Sequence, residues 1–540
     1  MKKLFSMDFK LDFRILIMLI VSLTILTRFL YLNLVPPHLS NDEISIAYDA
    51  YSVSKTLRDG HNRFLPLSFQ SHNTYKAPLT AYLTIPTISI FGNTDFAARA
   101  PSALLGSLTI LILGLLVFEL TKNKSLSLLS SFALSISPIH ILASRMAYEA
   151  NIALFFFTSG IYLFFLSLKK NNVVIILLTF ISFALSLYGY HAEWVFTPFI
   201  IGVLLILNRK QITNRKLYFL GIILFLILIT PLILDSINNL QNTTRAGTEN
   251  ILKEPYLAKK LEDPSFLFWQ KLAFILQAIW EKYSLYFNLS YLFFTGYNLL
   301  PQGDPFQIGV FLFPFLPFFI FGIIKTRLLF KEQTKFIYTL LITTPITASL
   351  TTGPQSTSRN LITVIPISII CSIGILIFWR SVNIIWKIIF IIVLTVSFIF
   401  FLAVFYYHFP KDHAEGFQYG YKQMALFIKP KYKEFKQIII DPRFGPGNIY
   451  SGLPSVYIPY NTNLDPQRIL ESKSNREGTF FDKYQIREIS WERENIAEAI
   501  LYIVPASNIP PAQSQLKKIH TITLPNLTPA FYLYIMEINE

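Results

Sequence analysis

The stretch IIWKIIFIIVLTVSFIFFLAVFY, residues 384–406, decides the class of this protein. It carries a single charged side chain, Lys387, in an otherwise apolar run. About 20 consecutive apolar residues are enough to cross the hydrocarbon core of a bilayer as an α-helix. The segment is therefore predicted to span a membrane.

The same pattern recurs along the 540 residues, of which 53% are hydrophobic and only 15% are charged. Soluble domains usually carry about 25% charged residues, so this composition excludes an ordinary soluble protein. We predict a mainly α-helical, polytopic membrane protein with about 11 transmembrane helices. The predicted spans are 13–34, 98–120, 126–144, 151–168, 173–190, 192–207, 217–234, 306–324, 335–352, 360–379 and 384–406.

Basic residues concentrate at the N-terminus and in every second loop, which predicts that this set faces the cytoplasm. The net charge of +15 is thereby explained by topology, and no nucleic-acid partner is predicted. A multi-pass protein of the cell membrane is expected, with a cytoplasmic N-terminus and an extracytoplasmic C-terminus. The residues that set this orientation are Lys2, Lys3, Lys10, Arg14, Lys122, Lys124, Lys169, Lys170, Arg209, Lys210, Arg215, Lys216, Lys325, Arg327, Lys331, Lys335, Arg380 and Lys387.

The outward segments include the long loop 35–97 and the tail from 407. Apolar residues at near-helical spacing in 44–53, and the apolar run 79–91, predict two helices that lie in the membrane interface. The tail contains four strand-like runs, 437–440, 499–504, 519–524 and 531–538. We predict a transmembrane domain over 1–408 and a small extracytoplasmic α/β domain over 409–540.

Acidic and basic side chains collect on the outward side. Carboxylates can accept a proton from a hydroxyl, and Lys or Arg can hold a phosphate. Acids and bases together beside a membrane surface favour a lipid-phosphate substrate. The candidate residues are Asp42, Glu43, Lys76, Arg145, Glu149, His191 and Arg359.

The first three candidates also have structural interpretations. Ser40-x-x-Glu43 fits a capping box, which leaves Asp42 in the first turn of a helix. A capped helix end can still present Asp42 to a substrate. Lys76 could be an interfacial lysine that reaches toward water.

The other candidates have structural alternatives as well. Arg145 and Glu149 are spaced i, i+4 and could simply pair with each other. His191 fits a structural position beside an aromatic turn, and Arg359 fits an anchor at a helix end. Arg99, at the start of the second span, fits an anchor or an ion-pair partner.

The first 170 residues carry an ordered set of motifs that resembles the GT-C glycosyltransferases that use polyprenyl-phosphate sugars. The likeness is to the bacterial branch of the protein O-mannosyltransferase family (glycosyltransferase family 39), which includes the aminoarabinose transferase that modifies lipid A. The motifs are Asp42-Glu43, 75–79 (YKAPL), Phe91-Gly92, 96–102 (FAARAPS), Ser137-Pro138 and 144–149 (SRMAYE), with softer likenesses at 292–296 (LFFTG) and 358–361 (SRNL).

The resemblance implies an inverting transfer of a sugar from a polyprenyl-phosphate carrier to an acceptor hydroxyl. Asp42 would be the general base, and Glu43 would support the site or bind the acceptor. Lys76, Arg145 and Arg359 would bind the lipid phosphate. Glu149 and His191 would belong to an acceptor or second-acid site. The acceptor, whether glycan, lipid or protein, is not readable from the sequence.

Several features depart from the family pattern. Many relatives have Asp where this chain has Glu149, and two prolines where it has Ala77-Pro78. His191 lies where the lipid A branch usually has a lysine, which argues against aminoarabinose as the sugar. A divalent metal is allowed but required by no spacing motif, with Glu43, Glu149 and His191 as candidate ligands.

Three other functions stay open at this point. A transporter or lipid-linked-sugar flippase would explain the spans but predicts charges within helices. A non-catalytic anchor for the tail would leave the ordered motifs unexplained. A GT-C polymerase or ligase would use a diphosphate-linked donor.

Overall fold

A computed structural model describes residues 12–71, 74–238, 249–296, 308–329, 331–353, 355–444, 449–450, 452–471, 480–494, 496–512 and 515–536. The chain folds into two compact units, each built from three segments that are not consecutive in the sequence. Unit 1 contains residues 1–30, 73–80 and 102–403. Unit 2 contains residues 31–72, 81–101 and 404–540. The predicted domain boundary between residues 408 and 409 divides the chain into two consecutive segments, and it stays a prediction.

The described part of the chain is mainly helical through residue 431. The first ten helices are α1 Phe13–Phe29, α2 Asn41–Thr56, α3 Leu79–Phe91, α4 Asp95–Thr121, α5 Lys124–Ser135, α6 Pro138–Arg145, α7 Glu149–Lys170, α8 Val173–Gly189, α9 Glu193–Leu207 and α10 Arg215–Asn238. The next nine are α11 Pro255–Glu262, α12 Phe268–Leu285, α13 Leu316–Leu329, α14 Lys331–Thr343, α15 Pro345–Ser349, α16 Val364–Ser381, α17 Ile384–Ala403, α18 Phe409–Asp412 and α19 Tyr421–Lys431.

Five helical segments in the described residues are long and apolar enough to cross a membrane, which agrees with a multi-pass protein. They are Asp95–Thr121, Glu149–Lys170, Arg215–Asn238, Ser358–Ser381 and Ile384–Asp412. Four shorter apolar helices are Leu79–Phe91, Val173–Gly189, Glu193–Leu207 and Phe313–Thr326. The count of eleven spans stays a prediction.

Two predicted spans differ in their bounds from the observed helices, and a third lies partly outside the described residues. Helix α1 ends at Phe29 rather than 34, because Leu30 is extended. The predicted span 335–352 is divided into α14 and α15 beside Pro345. The first residues of the predicted span 306–324, like the basic residues before position 12, lie outside the described residues.

The predicted span 126–144 is a bent pair, with α5 and α6 meeting at 63°. Ser137 caps α6 by accepting the amide of His140, and Pro138 occupies the first helical position, where its missing amide costs nothing. The end of α5 leaves carbonyl groups without helical partners. Buried Arg28 donates to two of them, Ser135 O at 2.6 Å and Leu134 O at 3.3 Å. A cation thus stabilises the break within the apolar interior.

Helix α4 packs closely against α6 and α7 at a glycine. A Cβ added to Gly106 would lie 2.7 Å from Ser144 Cβ and 3.1 Å from Asn151 Nδ2. Asn151 Nδ2 also donates to Ser102 O and Ser102 Oγ, each at 2.9 Å. The small residues of these motifs therefore hold three helices together, and the start of α7 is fixed in position.

The C-terminal segment of unit 2 is built on a six-stranded sheet with the order β6-β7-β3-β8-β10-β9. Strand β3 is parallel to β7 and β8, while the pairs β6–β7, β8–β10 and β10–β9 are antiparallel. Two short strands form a separate ladder, β4 with β5. The outer loop contains two short strands, β1 Phe69–Ser71 and β2 Thr74–Lys76. The C-terminal segment contains the strands β3 Gln437–Ile440, β4 Arg443–Phe444, β5 Ile449–Tyr450, β6 Phe480–Phe481, β7 Tyr484–Ile486, β8 Ile500–Pro505, β9 Leu516–Thr523 and β10 Pro529–Met536, and the helices α20 Pro454–Thr462 and α21 Pro466–Glu471.

All four strands predicted in the tail are present within a few residues of the predicted bounds, which confirms a strand-containing C-terminal segment. The helices predicted at 44–53 and 79–91 are present as α2 and α3. Helix α2 is buried over 43–53, and its apolar residues Ile44 and Tyr48 belong to the same hydrophobic core as Tyr457 and Ile438 of the tail. The outer loop and the tail therefore share a hydrophobic core in unit 2.

Candidate active site

Asp42 lies in the first turn of α2, where the side chain is exposed while the following residues are buried. The predicted capping box is present. Ser40 Oγ accepts the Glu43 amide at 3.4 Å, and Glu43 Oε2 accepts the Ser40 amide at 2.8 Å. These bonds satisfy orphan amides of the helix start. Capping fixes the backbone around Asp42 and leaves its carboxylate at the surface.

Glu43 is fully buried and forms an ion pair with fully buried Arg99, with Arg99 Nε 2.8 Å from Glu43 Oε1. Arg99 also donates to the carbonyl oxygens of Leu32 at 3.2 Å, Pro36 at 2.9 Å and His38. Arg99 was predicted to be either an anchor or an ion-pair partner, and the structure shows that it forms an ion pair. One guanidinium ties the backbone of 32–38 to the first turn of α2.

Two further side chains of unit 2, Tyr457 and His38, support the first turn of α2. Tyr457 donates its hydroxyl to Leu39 O at 2.7 Å and approaches Asn41 Oδ1 at 3.3 Å. Burial, followed by the nearby carboxylates of Glu43, Asp95 and Asp42, raises the pKa of Tyr457 well above its ordinary value. The hydroxyl therefore remains a hydrogen-bond donor at neutral pH.

His38 lies against the same tyrosine, with ring centroids 4.9 Å apart. Burial lowers the pKa of His38 to about 4, so the ring is neutral near pH 7. The ring Nδ1 lies 3.1 Å from Leu39 O. An uncharged, buried histidine thus belongs to the frame that holds Asp42.

In unit 1, Lys76 and Glu149 are brought together through the backbone. Glu149 opens α7 and accepts the amide of Ala77 through Oε1 at 2.6 Å. Lys76, which ends β2, is 2% exposed, and Glu149 is 8% exposed. The acid therefore fixes the YKAPL loop immediately beside the lysine.

Arg145 is fully buried at the end of α6 and donates from Nη1 to Thr27 O at 2.9 Å. Residues 146–148 are not helical, so Arg145 and Glu149 lie on different helices. The chain turns between them, in the gap between the predicted spans 126–144 and 151–168. Arg145 instead joins α6 to the end of α1.

His191 and Arg359 complete the candidates of unit 1. His191 is half-buried before α9, and its ring stacks at a tilt on Trp194 with centroids 5.6 Å apart. Arg359 is partly exposed and pairs with Glu249 at 2.8 Å. Its Nη1 also donates to Thr351 Oγ1 at 2.7 Å and to Thr352 O at 2.8 Å. The short helix Ser358–Thr363 that carries Arg359 packs against α7, the helix opened by Glu149.

Among the described residues, no group of three or more His, Cys, Asp or Glu side chains is arranged to hold a metal ion. Of the three candidate ligands, Glu43 is committed to Arg99 and to its own helix start. Glu149 and His191 lie in the other unit.

Three structural residues were not predicted: Arg28 at the break between α5 and α6 in unit 1, and His38 and Tyr457 in the frame that holds Asp42 in unit 2. A signal existed for Arg28, because a lone charge inside an apolar span is by default a residue with a specific partner. His38 and Tyr457 gave no such signal. They lie more than 400 positions apart in the chain, and only folding brings them together.

The chain is similar to a known family and to known structures. The family described as dolichyl-phosphate-mannose-protein mannosyltransferase matches residues 75–234, which contain Lys76, Arg145, Glu149 and His191. The structure of ArnT from Cupriavidus metallidurans in the apo state matches with a TM-score of 0.55 at 11% identity, covering 96% of this chain and 97% of that chain. ArnT bound to undecaprenyl phosphate matches with the same TM-score and coverage at 13% identity. No curated protein matches the chain.

The chain has the fold of ArnT. The resemblance predicted from the sequence motifs is thereby confirmed. The match to ArnT covers nearly the whole chain, including the strand-containing C-terminal segment, which the family match over 75–234 does not reach. At these identities the match establishes the fold, and the chemistry has to be argued from the residues.

Proposed function

We propose that this protein is an inverting membrane glycosyltransferase that moves a sugar from a polyprenyl-phosphate carrier to an acceptor hydroxyl. The observation that carries the proposal is the fold match to ArnT over nearly all of both chains, one structure of which holds undecaprenyl phosphate. The ordered Asp42, Lys76 and Arg145 motifs add chemistry that suits this reaction. The sugar is a hexose or pentose unit, and the acceptor is a glycan, lipid or protein.

Asp42 is the proposed general base. As the acceptor oxygen bonds to the anomeric carbon, Asp42 takes the hydroxyl proton, and the carbon–oxygen bond to the phosphate breaks with its electron pair leaving on the lipid phosphate. Attack from the face opposite the phosphate inverts the configuration. The exposed Asp42 carboxylate on a buried, capped helix start supports this role, because a general base must be both accessible and fixed.

Lys76, Arg145 and Arg359 are the proposed phosphate-binding cations. Lys76 and Arg145 are almost fully buried, where a charge is worth more to a phosphate than it is in water. Glu149 is proposed to position the lysine loop, since it accepts the Ala77 amide. Glu43 is proposed to position Asp42 through Arg99, and His191 is proposed to contribute to the acceptor side.

The proposed orientation puts the N-terminus in the cytoplasm and the C-terminal segment outside the cell. The distribution of Lys and Arg between alternate loops supports it. Cys371, the only cysteine of the chain, is buried in α16, so cysteines introduced elsewhere can be labelled selectively.

The experiment that tests the reaction class is a transfer assay in membranes that contain the protein, with radiolabelled polyprenyl-phospho-sugars and with membranes lacking the protein as control. The proposal expects label to leave the lipid fraction only when the protein is present. Label that crosses the membrane while still attached to lipid would establish a flippase instead. Consumption of diphosphate-linked donors alone would establish a polymerase or ligase.

A further inference from the structure

A pocket of about 770 Å³ lies in unit 1 where the ends of several helices meet. Its walls come from the C-terminal ends of α4, α7 and α9, the loop that follows α9, and α14. The apolar floor includes Phe165 and Phe336, whose rings are in edge contact at 5.1 Å. The pocket is thus built from residues distant in sequence.

Basic side chains outnumber acidic ones around the rim of the pocket. The pocket is lined by four basic side chains, Lys169, Arg209, Lys210 and Lys335, and by one acid, Glu119. Glu119 accepts from Lys169 at 2.7 Å and also pairs with Lys122 just outside the pocket. The positive charge of the rim therefore exceeds the charge that Glu119 can neutralise.

Among the side chains that the structure describes, which do not include those of 327–334, three of these cations have no acidic partner. Arg209, Lys210 and Lys335 are exposed, and no ion pair or side-chain hydrogen bond engages them there. Helix C-termini attract basic residues by their partial negative charge, which accounts for single cations near α7 and α9. It does not account for Lys335, which lies near the start of α14 and not at its C-terminus. The predicted orientation accounts for the side of the membrane on which these cations lie, but not for their convergence on one pocket. An anionic ligand would account for that convergence.

The pocket lies far from the candidate active-site residues of unit 1. Helix α7 begins with Glu149 and ends beside the pocket at Lys169 and Lys170. Its 22 residues span about 33 Å, close to the roughly 30 Å of a bilayer core. The two sites are therefore separated by one membrane thickness, so a donor phosphate near Glu149 cannot also occupy this pocket.

We propose that this pocket binds the phosphate headgroup of an anionic phospholipid. The apolar floor receives the first methylene groups of the acyl chains, and Arg209, Lys210 and Lys335 surround the phosphate. Basic pockets between transmembrane helices are suited to anionic headgroups, and a two-oxygen contact from Arg adds geometric selectivity. Free phosphate would gain the charge contacts but not the apolar floor.

The test is native mass spectrometry of the full chain in a neutral detergent, titrated in parallel with phosphatidylglycerol, phosphatidylcholine and glycerol 3-phosphate. The test variant combines Arg209→Gln, Lys210→Gln and Lys335→Gln. The matched control combines Lys433→Gln, Lys436→Gln and Lys517→Gln, which removes the same charge from exposed positions of the C-terminal segment.

We expect wild type and control to retain phosphatidylglycerol in preference to phosphatidylcholine. Each basic residue near an anionic lipid is worth about a five-fold factor in binding, so the triple variant should bind roughly 100-fold more weakly. Equal retention by the triple variant and wild type would overturn the proposal. Binding of glycerol 3-phosphate as tight as that of the lipid would overturn the lipid as the source of the phosphate. The single variant Lys335→Gln, expected about five-fold weaker, repeats the test if the triple variant does not fold.

Discussion

Replacing Arg99 with methionine should destabilise unit 2 more than any comparable loss of a surface charge. Arg99 and Glu43 are both 0% exposed, and the guanidinium also serves three backbone carbonyl groups. Methionine fills a similar volume but donates no hydrogen bond. Removing one partner of a buried pair costs about 3–5 kcal/mol, because the other charge is left buried without compensation.

The magnitude translates into a measurable change in melting temperature. Unit 2 is a body of roughly 200 residues, for which each kcal/mol shifts Tm by about 2–4 °C. Arg99→Met should therefore lower Tm by roughly 6–20 °C, measured by intrinsic fluorescence in one detergent near neutral pH. Arg99→Lys should recover only part of the loss, because three ammonium donors cannot replace five guanidinium donors.

The matched control is Arg63→Met in the same unit. Arg63 is 31% exposed, and Oδ1 of its buried partner Asp59 also accepts the backbone amides of His61 and Arg63, so only Oδ2 loses its donors when the guanidinium is removed. Arg63→Met should therefore lower Tm less than Arg99→Met, which also leaves three backbone carbonyl groups without their donor. Equal Tm values for Arg99→Met and Arg63→Met would refute the reasoning from burial.

A second comparison separates the buried charge from lost packing. Adding Glu43→Gln to Arg99→Met removes the carboxylate that Arg99→Met leaves unpaired. The double variant should therefore melt higher than Arg99→Met alone, even though it carries one more substitution. Simple addition of the two losses would show that Glu43 and Arg99 are not energetically coupled.

Three further predictions concern pH, packing and orientation. Burial lowers the pKa of His38 from 6.5 to about 4, so the neutral ring contributes its full stability above pH 6.5 and loses about 3 kcal/mol of it as the pH falls toward 4. His38→Asn should therefore flatten the pH dependence of Tm. An unchanged pH profile of Tm would contradict this prediction. Gly106→Ala should cost about 1–3 kcal/mol by overpacking, whereas Gly202→Ala, with nothing within 4 Å of the added Cβ, should leave Tm unchanged or higher; equal Tm values for the two variants would contradict this. In intact cells, an impermeant thiol reagent should label Ile509→Cys but not Asn171→Cys, and the reverse pattern would invert the proposed topology.

The helices and strands were largely predictable because their signals are local. Apolar runs located the helices, and a short strand-like run located the strand at 437–440 with the observed bounds. The parallel pairing of that strand with β7 and β8 was not predictable, because it depends on contacts between distant segments. The break near Ser137-Pro138 had a local signal, but the Arg28 contacts that stabilise it did not.

The candidate site shows the same limit. The capping box at Ser40 and Glu43 was readable, since its two residues are three positions apart. The ion pair between Glu43 and Arg99 joins residues 56 positions apart and needed the structure to distinguish it from an anchor. The turn between Arg145 and Glu149 agrees with the gap between the predicted spans 126–144 and 151–168, but the contact of Arg145 with Thr27 needed the structure.

The measurement that tests the central claim most directly is transfer by Asp42→Asn, beside wild type and Asp412→Asn, with the preferred polyprenyl-phospho-sugar. Asparagine keeps the size and the helix-start position of Asp42 but cannot take a proton, while Asp412 is an exposed acid elsewhere in unit 2. We predict that Asp42→Asn lowers the transfer rate by about 10²–10⁴-fold with unchanged Tm, while Asp412→Asn transfers at the wild-type rate. Wild-type transfer by well-folded Asp42→Asn would contradict the assignment of Asp42 as the base.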